Sequence, residues 1–172
     1  LFPFYVADGM GRSGLTLGAL LALMAGMNFA GSGLAGWLAD RIGDRPVTFA
    51  GTIITAVGLV LAGSSGSSPT MTTVVTATAV LGLGFGMHQA AVYALTLRGT
   101  PSEHAGATSA ALTVSQTIGT VLSIALITTI LNWQQSSNGA TFYEAYRFSY
   151  YVAAVIAVIS GLVVLRQRSK RR

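Results

Sequence analysis

Five stretches of this sequence, 15–39, 46–64, 70–97, 105–131 and 147–165, are each long and apolar enough to cross a bilayer as a helix. A spanning helix needs about 20 predominantly apolar residues, and in hydrocarbon its backbone N–H and C=O groups must be satisfied within the same segment. That requirement points to an all-α integral membrane bundle. Charged residues make up only 9% of the chain and hydrophobic ones 52%, whereas a soluble domain carries about 25% charged residues to face water. The 21 glycines suit the same setting, since glycine is commoner in membrane helices than in soluble ones. There is no cysteine, so disulfide frameworks and thiol chemistry are excluded.

Polar turns separate the stretches. Residues 40–46 end the first span, with Pro46 suited to the first turn of the next helix. Residues 63–69 and 98–104 read as short loops, and 132–146 as a longer one. The longer segment carries Trp133, Phe142, Tyr143 and Tyr146, aromatic types that settle at membrane interfaces. The apolar run 1–6 has no charged residues before it, so it does not read as a secretory signal. It is expected to be the end of a preceding span, and the chain a fragment of a larger protein.

The net charge of +5 is unevenly placed. If alternate loops lie on opposite sides of the bilayer, one side collects Arg41, Arg45, Arg98, Arg166, Arg168, Lys170, Arg171 and Arg172, and the other only Arg12 and Arg147. Excess Lys and Arg marks the cytoplasmic side, which puts the C-terminus there and the protein in the plasma or inner membrane. The basic segment 166–172 reads as a topology anchor that also meets membrane lipid. No nucleic-acid partner is expected, because only this short tail would serve one.

The second and last spans are nearly uniform runs of small and aliphatic residues. The other three carry polar groups near their middles: Asn28 in the first, His88 and Gln89 in the third, Gln116 in the fourth. Polar groups in hydrocarbon are costly and tend to face a bundle interior or a wet cavity, so these four are candidate cavity-lining residues. The plainer reading of each is a hydrogen bond that joins helices. His88 is the one titratable side chain near mid-membrane; Arg98 follows it by ten residues, about 15 Å of helix and half a bilayer. The Gly82–Gly86 spacing suits close helix packing, with gate flexibility as a second possible role.

The most informative string is Gly36-Trp37-Leu38-Ala39-Asp40-Arg41-Ile42-Gly43-Asp44-Arg45-Pro46. Glycines would let two helix ends and a short turn approach closely. The residue order resembles the signature loop of the major facilitator superfamily, G-x-L-A-D-R-x-G-R-K, which joins the second and third helices of each six-helix half. Gly36, Leu38, Ala39, Asp40, Arg41, Gly43 and Arg45 match, while Asp44 departs where the pattern prefers a base. The resemblance implies that Asp40 helps hold one gate state through charged contacts with neighbouring helix ends. Arg98, on the same membrane face, is the candidate partner. Reversing the charge at Asp40 should then impair transport, and reversing Arg98 as well should restore part of it.

On this resemblance the five spans are helices two to six of a half, with the uniform spans in the two lipid-facing positions. The basic tail, and the lack of a Gly-Pro pattern in 105–131, favour the C-terminal half. Residues 80–86, 101–110 and 116–119 are similar to the fourteen-span drug:proton antiporter branch. The implied function is proton-coupled efflux of small lipophilic or drug-like molecules. The partners would be membrane lipid, the transported molecule and the N-terminal half of the same chain; the proton gradient would take the place of a cofactor. Alternatives are proton-driven uptake of a metabolite, or a non-transporting scaffold or sensor of the same fold. No phosphate-binding loop, catalytic triad or metal-ligand spacing is present, so no enzyme and no metal site are expected. None of the spans holds an Asp or Glu, which assigns any proton-coupling carboxylate to the other half.

Overall fold

The computed structural model describes residues 14–64, 70–137 and 142–166. Five helices fill them: α1 (Gly14–Ile42), α2 (Asp44–Gly63), α3 (Met71–Arg98), α4 (Ala105–Ser137) and α5 (Phe142–Arg166). One 3-10 turn, Ser102–His104, leads into α4. All five helices are long and apolar enough to cross a membrane, and no strand occurs among the described residues. The run 1–6, Arg12, residues 65–69 and the basic tail beyond Arg166 lie outside the described residues.

Two linkers are shorter than their composition suggests. α1 stays helical through Ile42 and α2 begins at Asp44, so the segment 40–46 contracts to Gly43 alone. α4 continues to Ser137 and α5 starts at Phe142, leaving 138–141 between them. An apolar run stops where hydrocarbon stops, but helical hydrogen bonding carries on into the interface, where polar side chains are welcome. The start of α3 has a local cause: the Thr70 hydroxyl accepts a hydrogen bond from the Thr73 amide at 3.3 Å, capping a free N–H.

Packing is built on backbone approach. α3 lies between α1, which runs parallel to it, and α2, which runs antiparallel. α2 in turn packs antiparallel on α5, while α4 packs lightly, chiefly against α3 and α5. The glycines of α3 explain its central place. Gly82 and Gly86, one turn apart, lie against the backbone of Met24 and Asn28 on α1, and Gly84 lies against Thr55 on α2. Gly31 on α1 and Gly51 on α2 return the contact, against the backbones of Leu83 and His88. In a membrane such small-residue contacts let dispersion forces hold helices that have no hydrophobic drive to associate.

Uniform composition does not make α2 a loosely packed helix. Despite its uniform composition, α2 is the most heavily buried of the five spans, and it exposes only Val57 and Val60 among its large hydrophobic residues. Its buried positions are mostly small, including Thr48, Gly51, Thr52, Ala56, Gly58 and Ala62. Small side chains serve helix contact as well as lipid contact, so uniform apolarity does not separate the two. α5 does carry an outward apolar face, with Val155, Ile156, Ile159, Leu162 and Val163 exposed. Tyr146, grouped above with interfacial aromatics, is instead 5% exposed and packs with Tyr150, Leu20 and Ala77 in one core cluster. Trp133 remains exposed.

Candidate functional site

The signature-loop residues gather at the end of the bundle where α1 stops, α2 starts and α3 stops. Arg98 closes α3, and Asp44 is the first residue of α2. Each therefore sits at the helix terminus whose dipole favours its charge. Arg98 bridges two carboxylates: Nη2 lies 3.3 Å from Oδ1 of Asp40, and Nε lies 3.5 Å from Oδ2 of Asp44. The two arms differ in surroundings. The Asp40 side chain is 75% exposed, so that arm is screened and worth about 0–1 kcal/mol. The Asp44 side chain is 8% exposed, and its Oδ1 has no hydrogen-bond partner among the described residues. Asp44, the departure from the sequence pattern, is thus the buried anchor of the cluster.

The remaining loop residues take other roles. Arg41 lies over the Trp37 ring, 3.8 Å from its centroid, in a cation–π contact. Arg45 takes no part in either ion pair. Leu38 and Ala39 pack with Val47, Met87 and Ala91 in the second core cluster. Neither Gly36 nor Gly43 meets a neighbouring atom within 4 Å of where a Cβ would stand, so close approach does not explain either glycine. Gly43 is required by conformation instead, with φ 89° and ψ 160°, a region essentially open to glycine alone. Gly43→Ala is expected to cost about 1–3 kcal/mol, and Gly36→Ala, inside a helix, to be neutral or slightly stabilising. Thermal unfolding of the two variants in one detergent checks the contrast.

A second feature lies deeper. α3, α4 and α5 line a half-open cavity of about 940 Å³. His88 and Gln89 line it from α3 and Gln116 from α4, so three of the four polar candidates meet there. Asn28 does not line it; its backbone carbonyl lies beneath Gly86 in the α1–α3 contact. His88 is fastened to α2, with Nδ1 2.9 Å from Oγ1 of Thr52. Tyr93 donates its hydroxyl hydrogen to Oε1 of Gln116 at 3.2 Å, tying α3 to α4 at the edge of the cavity.

Much of the polar lining was not singled out in the sequence. Thr113, Thr117, Thr120 and Ser123 line the cavity along one face of α4, and their spacing of three or four residues was a readable signal. Each hydroxyl donates to the carbonyl four residues earlier, at 2.7–3.1 Å. Phe85, Val92, Ile124 and Ile127 supply apolar wall. None of the lining residues is an Asp, Glu, Lys or Arg. The arrangement can hold a lipophilic body and orient it by a few neutral polar groups.

Comparison with known proteins agrees with this architecture. The family model described as Major Facilitator Superfamily matches residues 1–172. An uncharacterized transporter of Escherichia coli K12, YebQ, is 29% identical over 98% of this chain and 36% of its own length. A triacylglyceride transporter of Mycolicibacterium smegmatis is 32% identical over 76% of this chain and 23% of its own length. An uncharacterized MFS-type transporter of Bacillus subtilis, YwoD, is 30% identical over 73% of this chain and 28% of its own length. The chain therefore spans roughly a quarter to a third of these relatives. With a family match along its full length and five membrane-spanning helices, it belongs to the Major Facilitator Superfamily.

Proposed function

We propose that this chain is the C-terminal half of a secondary carrier that exports small, uncharged, lipophilic molecules across the cell membrane in exchange for protons. The observation that carries the reading is the cavity between α3, α4 and α5: apolar walls, hydroxyls and two amides, and no formal charge to pair with an ionic cargo. Such a lining also argues against a non-transporting scaffold, which would have no use for polar groups in an open cavity. In this reading the N-terminal half closes the open side of the cavity and supplies the carboxylate that carries the proton. The end bearing Asp40, Asp44 and Arg98 faces the cytoplasm with the basic tail, and the cluster steadies one of the two gate states. The sequence resemblances noted above favour the fourteen-span drug:proton branch.

A second reading concerns the cargo. Three of the mycobacterial relatives at 29–32% identity carry the name triacylglyceride transporter, and an uncharged cavity suits a neutral lipid as well as a drug-like molecule. Two assays separate the readings. Cells producing the protein should extrude the neutral dye 2-hydroxy-Nile red faster than control cells while energised, and a protonophore should abolish the difference. Gln116→Leu should slow that export about tenfold, the effect of losing one oriented hydrogen bond. Transfer of labelled trioleoylglycerol between proteoliposomes, with no effect on 2-hydroxy-Nile red, would favour the lipid reading. Export that persists with the proton gradient collapsed would refute proton coupling.

A further inference from the structure

Thr52 constrains the tautomer of His88, one of the residues that line the cavity. The Thr52 hydroxyl donates to the Thr48 carbonyl at 2.8 Å, as the Thr48 hydroxyl donates to the Asp44 carbonyl at 2.8 Å. A hydroxyl has one hydrogen and two lone pairs. Once that hydrogen is committed, the 2.9 Å contact between Thr52 Oγ1 and His88 Nδ1 is a hydrogen bond only if Nδ1 carries a proton. The neutral imidazole is then the Nδ1–H tautomer, and Nε2, on the opposite edge of the ring, is a bare acceptor. Thr48 is 0% exposed and Thr52 4%, so both threonines are shut off from solvent.

The α4 wall has the same bias. Thr113, Thr117, Thr120 and Ser123 have each committed a hydrogen to their own helix, which leaves lone pairs for the cavity. We propose that the cavity selects molecules carrying a neutral hydrogen-bond donor, a hydroxyl or an N–H on a lipophilic body, and seats that donor on Nε2 of His88. Thr52 acts as the positioning residue. The proposal rests on reading the cavity as the substrate site. An analogue of the same shape with an ether in place of the hydroxyl would bury Nε2 without a partner, and such a mismatch discriminates more sharply than the loss of an attraction alone. In the opposite tautomer the ring would offer a donor and the preference would reverse.

The tautomer is directly observable. The chain holds two histidines, so His104→Gln leaves His88 as the sole source of signal in protein labelled with 15N-histidine. At pH 8 in amphipol, the wild-type ring should show a protonated Nδ1 and an unprotonated Nε2. Titration with 2-hydroxy-Nile red should move the Nε2 resonance, and the dye should bind about tenfold tighter than 2-methoxy-Nile red. Thr52→Val keeps the methyl group packed on Gly161 but removes the hydroxyl. It should reduce the preference to less than about twofold, while Thr52→Ser should retain it.

A protonated Nε2 in the wild-type protein would overturn the proposal. So would equal affinity for the two dyes, failure of both to bind, or a preference unchanged in Thr52→Val. If the tautomer and the preference hold but neither dye is exported by energised cells, the transport reading fails and the binding site stands.

Discussion

Gly86→Val is expected to prevent α1 and α3 from packing, with loss of most of the protein from the membrane fraction and a clearly lower unfolding temperature in what remains. At Gly86 a Cβ would fall on the carbonyl of Asn28, and at Gly82 it would stand 2.6 Å from the carbonyl oxygen of Met24. These are backbone atoms of a neighbouring helix, so no rotamer change can make room. The helices would have to separate along the whole run of contacts from Gly31 to Gly86. Overpacking of a well-packed site costs about 1–3 kcal/mol, and more where the backbone has to move, which places this substitution at or above the top of that range. Gly26→Val is the control, since nothing lies within 4 Å of a Cβ there. Equal stability of the two variants would refute the α1–α3 packing.

Arg98→Ala should have the second largest effect, and its partner explains why. It releases an exposed Asp40, which water can solvate, but strands a buried Asp44 whose other oxygen already lacks a partner. The expected loss is about 1–3 kcal/mol, and Asp44→Asn on the same background should recover most of it. Asp40→Asn alone should change stability by no more than about 1 kcal/mol. A double-mutant cycle read by thermal unfolding measures both arms. The rescue anticipated from the sequence is revised accordingly. Pairing Asp40→Arg with Arg98→Asp would set a new carboxylate against the buried Asp44, so this double variant should remain less stable than Asp40→Arg alone, which keeps the Arg98–Asp44 pair. Adding Asp44→Arg should restore it. Recovery without that third change would mean that Asp44 is not an anchor.

The spans were legible because hydrocarbon imposes one rule, a long apolar run, and a sequence states it openly. Gly82 and Gly86 could be read as a packing pair from their spacing, but not that α1 is the helix they meet, nor that Gly84 between them serves α2. Asp44 looked like a blemish in a motif, because a linear pattern compares it with a consensus and not with Arg98 above it. His88, Gln89 and Gln116 stood out as polar groups in apolar surroundings. Thr113, Thr117, Thr120 and Ser123 did not, because a threonine that bonds its own helix is tolerated in a membrane almost as an aliphatic residue is. The burial of α2 was hidden for a related reason: lipid and neighbouring helices accept the same small side chains.

The single residue between α1 and α2 has a mechanical consequence. A loop of six or seven residues is a spring, and two helices joined by one can shift separately while the loop absorbs the difference. Gly43 offers only two torsions, and its amide is already tied to the carbonyl of Ala39 at 2.9 Å. The joint has almost no slack. A tilt of the end of α1 that carries Asp40 must therefore drive α2 as a lever, and eight residues along that lever, about 12 Å from its fulcrum, stands Thr52 with the His88 ring in its grip.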